Sequence, residues 1–429
     1  METVFTAPTM KNLSPTVHGD FIRRPHGRLV ISTAPPRFLL YSHDGVGLGH
    51  VRRNLTIAAA ITEAEHAAPV LVVTGSDELE SFSVPAAVDI LRLPGLRKVD
   101  NTHYAARRLA VTPDDVLELR AALLRTAVER FRPDVVLADK HPVGVQGELL
   151  PALQRLRSLG GHAAVGLRDV IDTPARTRRE WLASGADRHL SATHDLLLVY
   201  GQASVLDPLA DCGLRADVID RRCFCGYVVA GSATPRRRPT RCRPRVLAMT
   251  GGGEDGGPLL STFIDAAHGT SWDVQAIAGP QIAPAVARRL RRRAARNHVD
   301  LTMSVPDLWK RLGDVDAVVC MGGYNSLVEA LAAGVPTVCV PRVEPRSEQL
   351  LRANAFASRN LIRVVEPAEL TATRLRTEVD AALATDRTAL DALIREALDF
   401  GGAARAAAAL LRLAAPRPST ARLPAGVGS

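Results

Sequence analysis

Aromatic residues are scarce in this 429-residue chain, with Phe, Trp and Tyr together at 4%. Lysine is scarcer still: only Lys11, Lys98, Lys140 and Lys310 occur, although Lys and Arg together number 54. Proteins that hold single-stranded nucleic acid set aromatic faces among their cations. No aromatics interleave with the arginine runs here, and no zinc-finger or RNA-binding signature is present. The net charge of +9 therefore does not argue for a nucleic-acid partner. Arginine in place of lysine, with abundant alanine, reflects a GC-rich coding sequence, so part of the basicity is composition. No apolar run reaches the roughly 18 residues of a membrane-crossing helix. The amino-terminal stretch has no apolar core of a secretory signal, and a cytoplasmic protein is expected. The cysteines at 212, 223, 225 and 242 lack the CxxC pairs of structural zinc sites. Cys320 and Cys339 lie in apolar runs, where a thiol packs as a small hydrophobe. Reduced thiols and no metal are expected.

What the chain does contain is a repeated alternation. "RFLLYSH", "PVLVVTG", "VDILRLPG", "PDVVLAD", "HAAVGLRD" and "DLLLVYG" are short, nearly continuous Val, Leu and Ile runs. Helical stretches separate several of them, at about His50–Glu63 and Pro113–Phe131. That pattern predicts an α/β fold whose parallel sheet is covered on both faces. "GSATPRRRPTRCRPR" then breaks it and reads as a linker. The alternation restarts with "RVLAMTGGG" and runs through "WDVQAIAG", "VDLTMSV", "VDAVVCMGG", "PTVCVPR" and "LIRVV" to a last helix near Gly402–Leu413. The expected organisation is a flexible arm at 1–36, one Rossmann-like domain at 37–230 and a linker at 231–244. A second Rossmann-like domain follows at 245–415, with a tail at 416–429. Ligands of such sheets bind beyond the carboxyl ends of the strands, and two facing sheets imply a cleft.

Three glycine-rich turns fall at those ends. "HDGVGLGHVRRN" carries Gly45, Gly47 and Gly49, which let the backbone turn tightly, and then His50 at a helix start. The positive helix terminus favours a neutral imidazole, suited to a general base. The turn matches GxGxxG only loosely, with no acid after the second strand, so it is not read as an NAD site. "TGGGEDGG" places Gly251, Gly252 and Gly253 before a helix, an arrangement whose amides bind anions. It lacks the GK[ST] of an ATP-hydrolysing P-loop. "CMGGYNSLVEALAAGVP" sets Gly322 and Gly323 before a helix bearing Asn325, Ser326 and one acid, Glu329. Asn325 and Ser326 can cap that helix or bond an anion. Ser326 and Glu329 also have capping-box spacing, so Glu329 is either a helix cap or a carboxylate that accepts the two hydroxyls of a ribose.

"ADKHPVG" and "GLRDVIDTP" put Asp139, Lys140, His141, Arg168 and Asp169 beyond strand ends, facing the expected cleft. An aspartate there either orients His50 or is itself the base, and Asp169 can equally cap the next turn. The DxD-like pair Asp314 and Asp316 precedes its strand, at the wrong end for a site. "ARRLRRRAAR" is a basic helix: a solvated face, or a contact with anionic lipid.

"GGYNSLVEALAAGVPTVCVP" followed by "EQLLRANA" resembles the donor half of GT-B glycosyltransferases of the family 28 branch that contains MurG. "TGGGEDGG" is similar to that branch's diphosphate loop and "GVGLGH" to its acceptor-side loop. The resemblance spans roughly Arg37 to Leu413. It implies two Rossmann-like domains and an inverting, metal-independent transfer of a hexosyl group, with no cofactor beyond a nucleotide-diphosphate sugar. The donor is expected to be a UDP-sugar. Gln349 matches the glutamine that contacts the donor sugar. The acceptor, small or lipid-linked, is not identified by the resemblance, and a lipid-linked one would bring the protein to the inner membrane face. An epimerase of the same fold, or a non-catalytic sugar-nucleotide binder, would share these motifs. Two departures bear on donor and acceptor: no proline-containing helix start follows His50, and the spacing from Pro341 to Gln349 is longer.

Overall fold

The computed structural model describes residues 34–43, 48–79, 82–99, 104–231 and 242–415. The expected arm and tail, Gly45, Gly47 and most of the linker lie outside those residues.

The first half opens with β1 (Phe38–Ser42), α1 (Gly49–Ala64), β2 (Val70–Thr74) and β3 (Val88–Arg92). A small antiparallel hairpin follows, β4 (Leu96–Lys98) with β5 (Tyr104–Ala106), and then α2 (Pro113–Phe131). Next come β6 (Val135–Asp139), α3 (Leu150–Ser158), β7 (His162–Arg168), α4 (Pro174–Ser184) and α5 (Ala186–Thr193). β8 (Leu196–Tyr200), the short α6 (Ala216–Ile219) and β9 (Arg222–Phe224) complete it. The sheet order is β3-β2-β1-β6-β7-β8-β9, and every pairing is parallel. β1 and β6 are buried along their whole length, which is why they read as unbroken apolar runs.

The second half contains β10 (Arg245–Met249), α7 (Gly257–Ala267), β11 (Asp273–Ile277), α8 (Pro284–Arg296) and β12 (Asp300–Thr302). It continues with α9 (Trp309–Leu312), β13 (Ala317–Cys320), α10 (Tyr324–Ala332), β14 (Thr337–Cys339), α11 (Glu348–Ala357) and β15 (Arg363–Val364). The sheet order is β12-β11-β10-β13-β14-β15, again all parallel. Asp316 accepts a hydrogen bond from the Arg245 amide at 2.7 Å, a strand-end tie away from the cleft.

Three helices close the described chain: α12 (Ala372–Leu383), α13 (Arg387–Ala397) and α14 (Gly402–Ala414). Sequence order assigns α14 to the second domain. Instead it crosses back and packs on α1 and against β6, β7 and β8. The reason lies in α1, whose buried residues Val51, Leu55, Ile57, Ala58 and Ile61 cover more than one stripe. The sheet covers one side, and the small face Ala406, Ala407 and Leu410 of α14 covers another. The two chain crossings lie together, since Tyr227 N–H donates to Asp399 O at 2.7 Å and Gly402 N–H to Tyr227 O at 3.1 Å.

In each sheet the strand order reverses at the first strand, β1 or β10. The glycine-rich turns therefore emerge at switch points, where two crossovers leave in opposite directions and open a crevice.

Candidate active site

Two adjoining cavities of about 640 and 230 Å³ fill the crevice between the sheets and share Gly49, Arg53, Arg168, Met249, Gly251, Gly252, Gly323 and Ser326. The larger holds His43, His50, Lys140, Gly253 and Gln349; the smaller holds Asn325 and Glu329.

On the first-domain wall, His50 is the second residue of α1 and is buried. Its Nδ1 lies 3.0 Å from Oδ1 of Asp139, the last residue of β6. Arg53, one turn along α1, grips the same carboxylate with Nε at 3.1 Å and Nη2 at 2.9 Å. That Nη2 also lies 3.0 Å from His50 Nδ1. Arg53 Nη2 only donates, so its contact with Nδ1 uses a lone pair there, whereas a proton on Nδ1 donates to Asp139. In the second tautomer the lone pair sits on Nε2. Burial alone would raise the Asp139 pKa, but Arg53 and His50 outweigh it and hold the carboxyl below the ordinary range. Fully buried and held ionised, Asp139 can orient His50 through that contact.

The other aspartate behaves differently. Asp169 is fully buried, and Arg352 of α11 binds both its oxygens, Nε at 2.8 and 3.0 Å and Nη2 at 2.6 Å. Arg352 also donates to Gly322 O at 3.0 Å. Asp169, expected as a cleft carboxylate, thus has both oxygens engaged by an arginine of the second domain. Tyr324 reinforces this contact. Its ring lies between Arg53 at 5.4 Å and Arg352 at 5.5 Å, and its hydroxyl accepts from the Val228 amide at 2.9 Å.

The second-domain wall is built from the two remaining glycine turns. Gly253 has φ +93°, and a Cβ there would sit 2.1 Å from Ala278 O. Gly322 has φ +80°, and a Cβ there would sit 2.9 Å from Cys339 Sγ. Only glycine lets these turns form while the neighbouring strands stay packed. Gly251 faces the Ser326 hydroxyl. Behind the turns stand the N-termini of α7 and α10, electropositive ends suited to an anion.

α10 is capped at Gly323 with no side-chain hydrogen bond. Ser326 is thus the third residue of the helix and Glu329 the sixth, so the capping-box alternative for Glu329 does not hold. Asn325 is no cap either; its Nδ2 donates to Gly49 O at 3.2 Å, across the domains. Gln349 accepts from the Arg342 amide at 3.0 Å, which fixes its side chain at the cleft wall. Glu329 is buried, 2.8 Å from Arg52 Nη2, though the N–H is not aligned with the carboxylate. Burial lifts its pKa to about 7, against the attraction of Arg52 and with a contribution from Asp307.

Residues 285–402 match the glycosyltransferase family 28 C-terminal domain. The UDP-N-acetylglucosamine–N-acetylmuramyl-(pentapeptide) pyrophosphoryl-undecaprenol N-acetylglucosamine transferase of Corynebacterium efficiens is 28% identical over 281 residues, 63% of this chain and 75% of that protein. The enzyme of the same name from Vibrio vulnificus is 23% identical over 349 residues, 80% of this chain and 88% of that protein. This chain is a GT-B glycosyltransferase similar to MurG. The GT-B fold is shared with solved structures of low identity. Acinetobacter baumannii MurG superposes with a TM-score of 0.55 at 14% identity, covering 88% of this chain and 99% of that one. A calicheamicin glycosyltransferase gives 0.56 at 19%, covering 88% and 98%.

The arrangement can serve two tasks, proton removal on one wall and anion binding on the other. Arg53, Tyr324 and Arg352 were not singled out from sequence. Only the i, i+3 spacing of His50 and Arg53 hinted that they share a helix face.

Proposed function

We propose that this glycosyltransferase moves a hexosyl group from a UDP-sugar to an acceptor hydroxyl or amine, with inversion at the anomeric carbon and without a bound metal. The observation that carries this reading is the placement of the His50–Asp139 pair across one crevice from two amide-lined glycine turns and Glu329. Glu329 would accept the ribose hydroxyls, and Gln349 would position the sugar. His50 Nε2 takes the acceptor proton as the acceptor attacks the anomeric carbon. The bond from that carbon to the diphosphate oxygen breaks, and its electron pair leaves with the nucleotide. Amides at Gly251–Gly253 and Gly322–Gly323, with the dipoles of α7 and α10, meet the charge that develops there. The names of the relatives include UDP-N-acetylglucosamine, which supports uracil as the base.

Those relatives act on a pyrophosphoryl-undecaprenol acceptor. A lipid-linked acceptor here would bring the protein to an anionic membrane face. No helix among the described residues is long and apolar enough to cross a membrane. The exposed arginines of α8, which buries only Ala287, Leu290 and Ala294, suit such a surface.

The test is calorimetric titration with UDP, GDP, dTDP and ADP, wild type beside Glu329→Ala. Binding of UDP that the substitution abolishes supports the donor site. If no nucleotide binds, or the variant binds equally well, the reading fails.

A further inference from the structure

Five arginines line the two joined cavities: Arg52, Arg53, Arg168, Arg342 and Arg346. Four already have carboxylate partners. Arg52 meets Glu329 at 2.8 Å and Arg53 meets Asp139 at 2.9 Å. Arg342 meets Asp255 at 2.9 Å and Glu348 at 2.7 Å, and Arg346 meets Glu180 at 3.0 Å and Asp172 at 3.3 Å. The Arg168 side chain makes no ion pair or hydrogen bond to any described residue, although the residue is only partly exposed. It is the last residue of β7, and the neighbouring Asp169 is pinned to the second domain by Arg352. The side chain therefore borders both cavities, opposite the Gly251–Gly252 turn.

We infer that Arg168 binds the diphosphate of the donor from the acceptor-side domain and takes up the charge of the departing nucleoside diphosphate. This rests on the nucleotide-sugar reading given above. A diphosphate is the part of such a donor that joins its nucleoside to its sugar, so it must lie where the two cavities meet. Arg168 borders both. The glycine turns supply neutral amides there, while breaking the anomeric bond leaves one further negative charge on the diphosphate. A planar guanidinium matches phosphate oxygens two at a time. The electrostatics agree: burial, with Arg352 and Arg53 nearby, lowers the Arg168 pKa to about 10 against the pull of Glu348 and Asp169. Arg53 and Arg352 are buried too, but their carboxylates push them the other way. A desolvated cation with carboxylates nearby but none in hydrogen-bond contact is unfavourable until an anion arrives. Because it comes from the opposite domain, Arg168 also makes donor binding draw the two walls together.

The experiment compares UDP with UMP by calorimetry on wild type, Arg168→Met and Arg168→Lys, with thermal melting of each nucleotide-free protein. One charged hydrogen-bonding interaction with phosphate corresponds to a preference of roughly 10- to 100-fold. The wild type is expected to favour UDP over UMP, Arg168→Met to lose that preference by this factor while keeping its UMP affinity, and Arg168→Lys to recover part of it. The melting temperature of nucleotide-free Arg168→Met should stay close to that of wild type, because relief of a desolvated charge offsets the lost attraction of Glu348. An unchanged UDP preference in Arg168→Met overturns the assignment and leaves the donor site standing. Equal loss of UDP and UMP with a lowered melting temperature means a structural role and also overturns it. A wild type that binds neither nucleotide removes the donor reading and this inference together.

Discussion

Glu329→Gln should make this protein more stable at pH 8 while it weakens the donor site. Glu329 titrates near 7 in the fold, against 4.5 for an ordinary glutamate, chiefly because it is buried; Arg52 opposes the shift and Asp307 adds to it. Between those two pH values the unfolded chain has released this proton and the folded chain has kept it. The folded state then binds more protons, so stability falls as pH rises from about 4.5 to about 7 and is level above that. The difference corresponds to about 3 kcal/mol. Glutamine has nearly the shape of the protonated acid and no charge, so the variant lacks this slope. Wild type and Glu329→Gln should melt together at pH 4.5 and diverge up to pH 8, the variant higher by several degrees. All other titrating groups are common to both and cancel in the difference. UDP affinity should move in the opposite sense. Only the ionised carboxylate accepts from both ribose hydroxyls, so wild-type affinity should improve roughly tenfold from pH 6 to pH 8, while the variant binds weakly and without that dependence. Scanning calorimetry and UDP titration across this range measure both. Parallel melting curves, or a variant less stable at pH 8, would refute the account of Glu329 as an acid kept buried for binding.

Other outcomes follow from the same geometry. His50→Ala should lower turnover by roughly 10²- to 10⁴-fold with UDP affinity nearly unchanged, read from steady-state kinetics and titration. Asp139→Asn should lower turnover and stability together, since it also strands the buried Arg53; a loss of about 3–5 kcal/mol is expected in denaturant melts, which His50→Ala should not show. Arg352→Met should cost a similar amount by leaving Asp169 charged and unpaired between the domains, and Asp169→Leu added to it should recover much of that stability. Gly253→Ala forces a Cβ against Ala278 O at 2.1 Å; UDP affinity should fall as the turn shifts, with little change in far-ultraviolet circular dichroism.

Local pattern carried much of the architecture. Each apolar run contains a strand, and Pro113–Phe131 is a helix at the residues expected, because Thr112 and Asp115 form a capping box and Pro113 occupies the first turn. The β4–β5 hairpin and β9 escaped notice because LRK, YAA and RCF form no continuous Val, Leu and Ile run. The site divided similarly. The positions of His50, Gly251–Gly253, Gly322–Gly323 and Glu329 at strand ends could be read from the chain, since glycine turns and helix starts are local events.

What lay beyond reach was every decision made between segments distant in the chain. Asp139 and Asp169 look alike in sequence, each closing or following an apolar strand. Asp139 meets His50 and Arg53 from α1, whereas Asp169 meets Arg352, 183 residues away. Whether a carboxylate orients a base or joins two domains depends on which cation the packing brings to it. In the same way α14 follows the second domain in sequence but covers α1, because the apolar surface of α1 needs a second partner. Sequence determined the apolar strand segments and the chemistry available at each turn, because those depend on residues close together in the chain. Tertiary packing decided the strand order, and with it the switch points, and which of the crevice arginines are held by carboxylates, because pairing, Coulomb attraction and desolvation depend on distances in space.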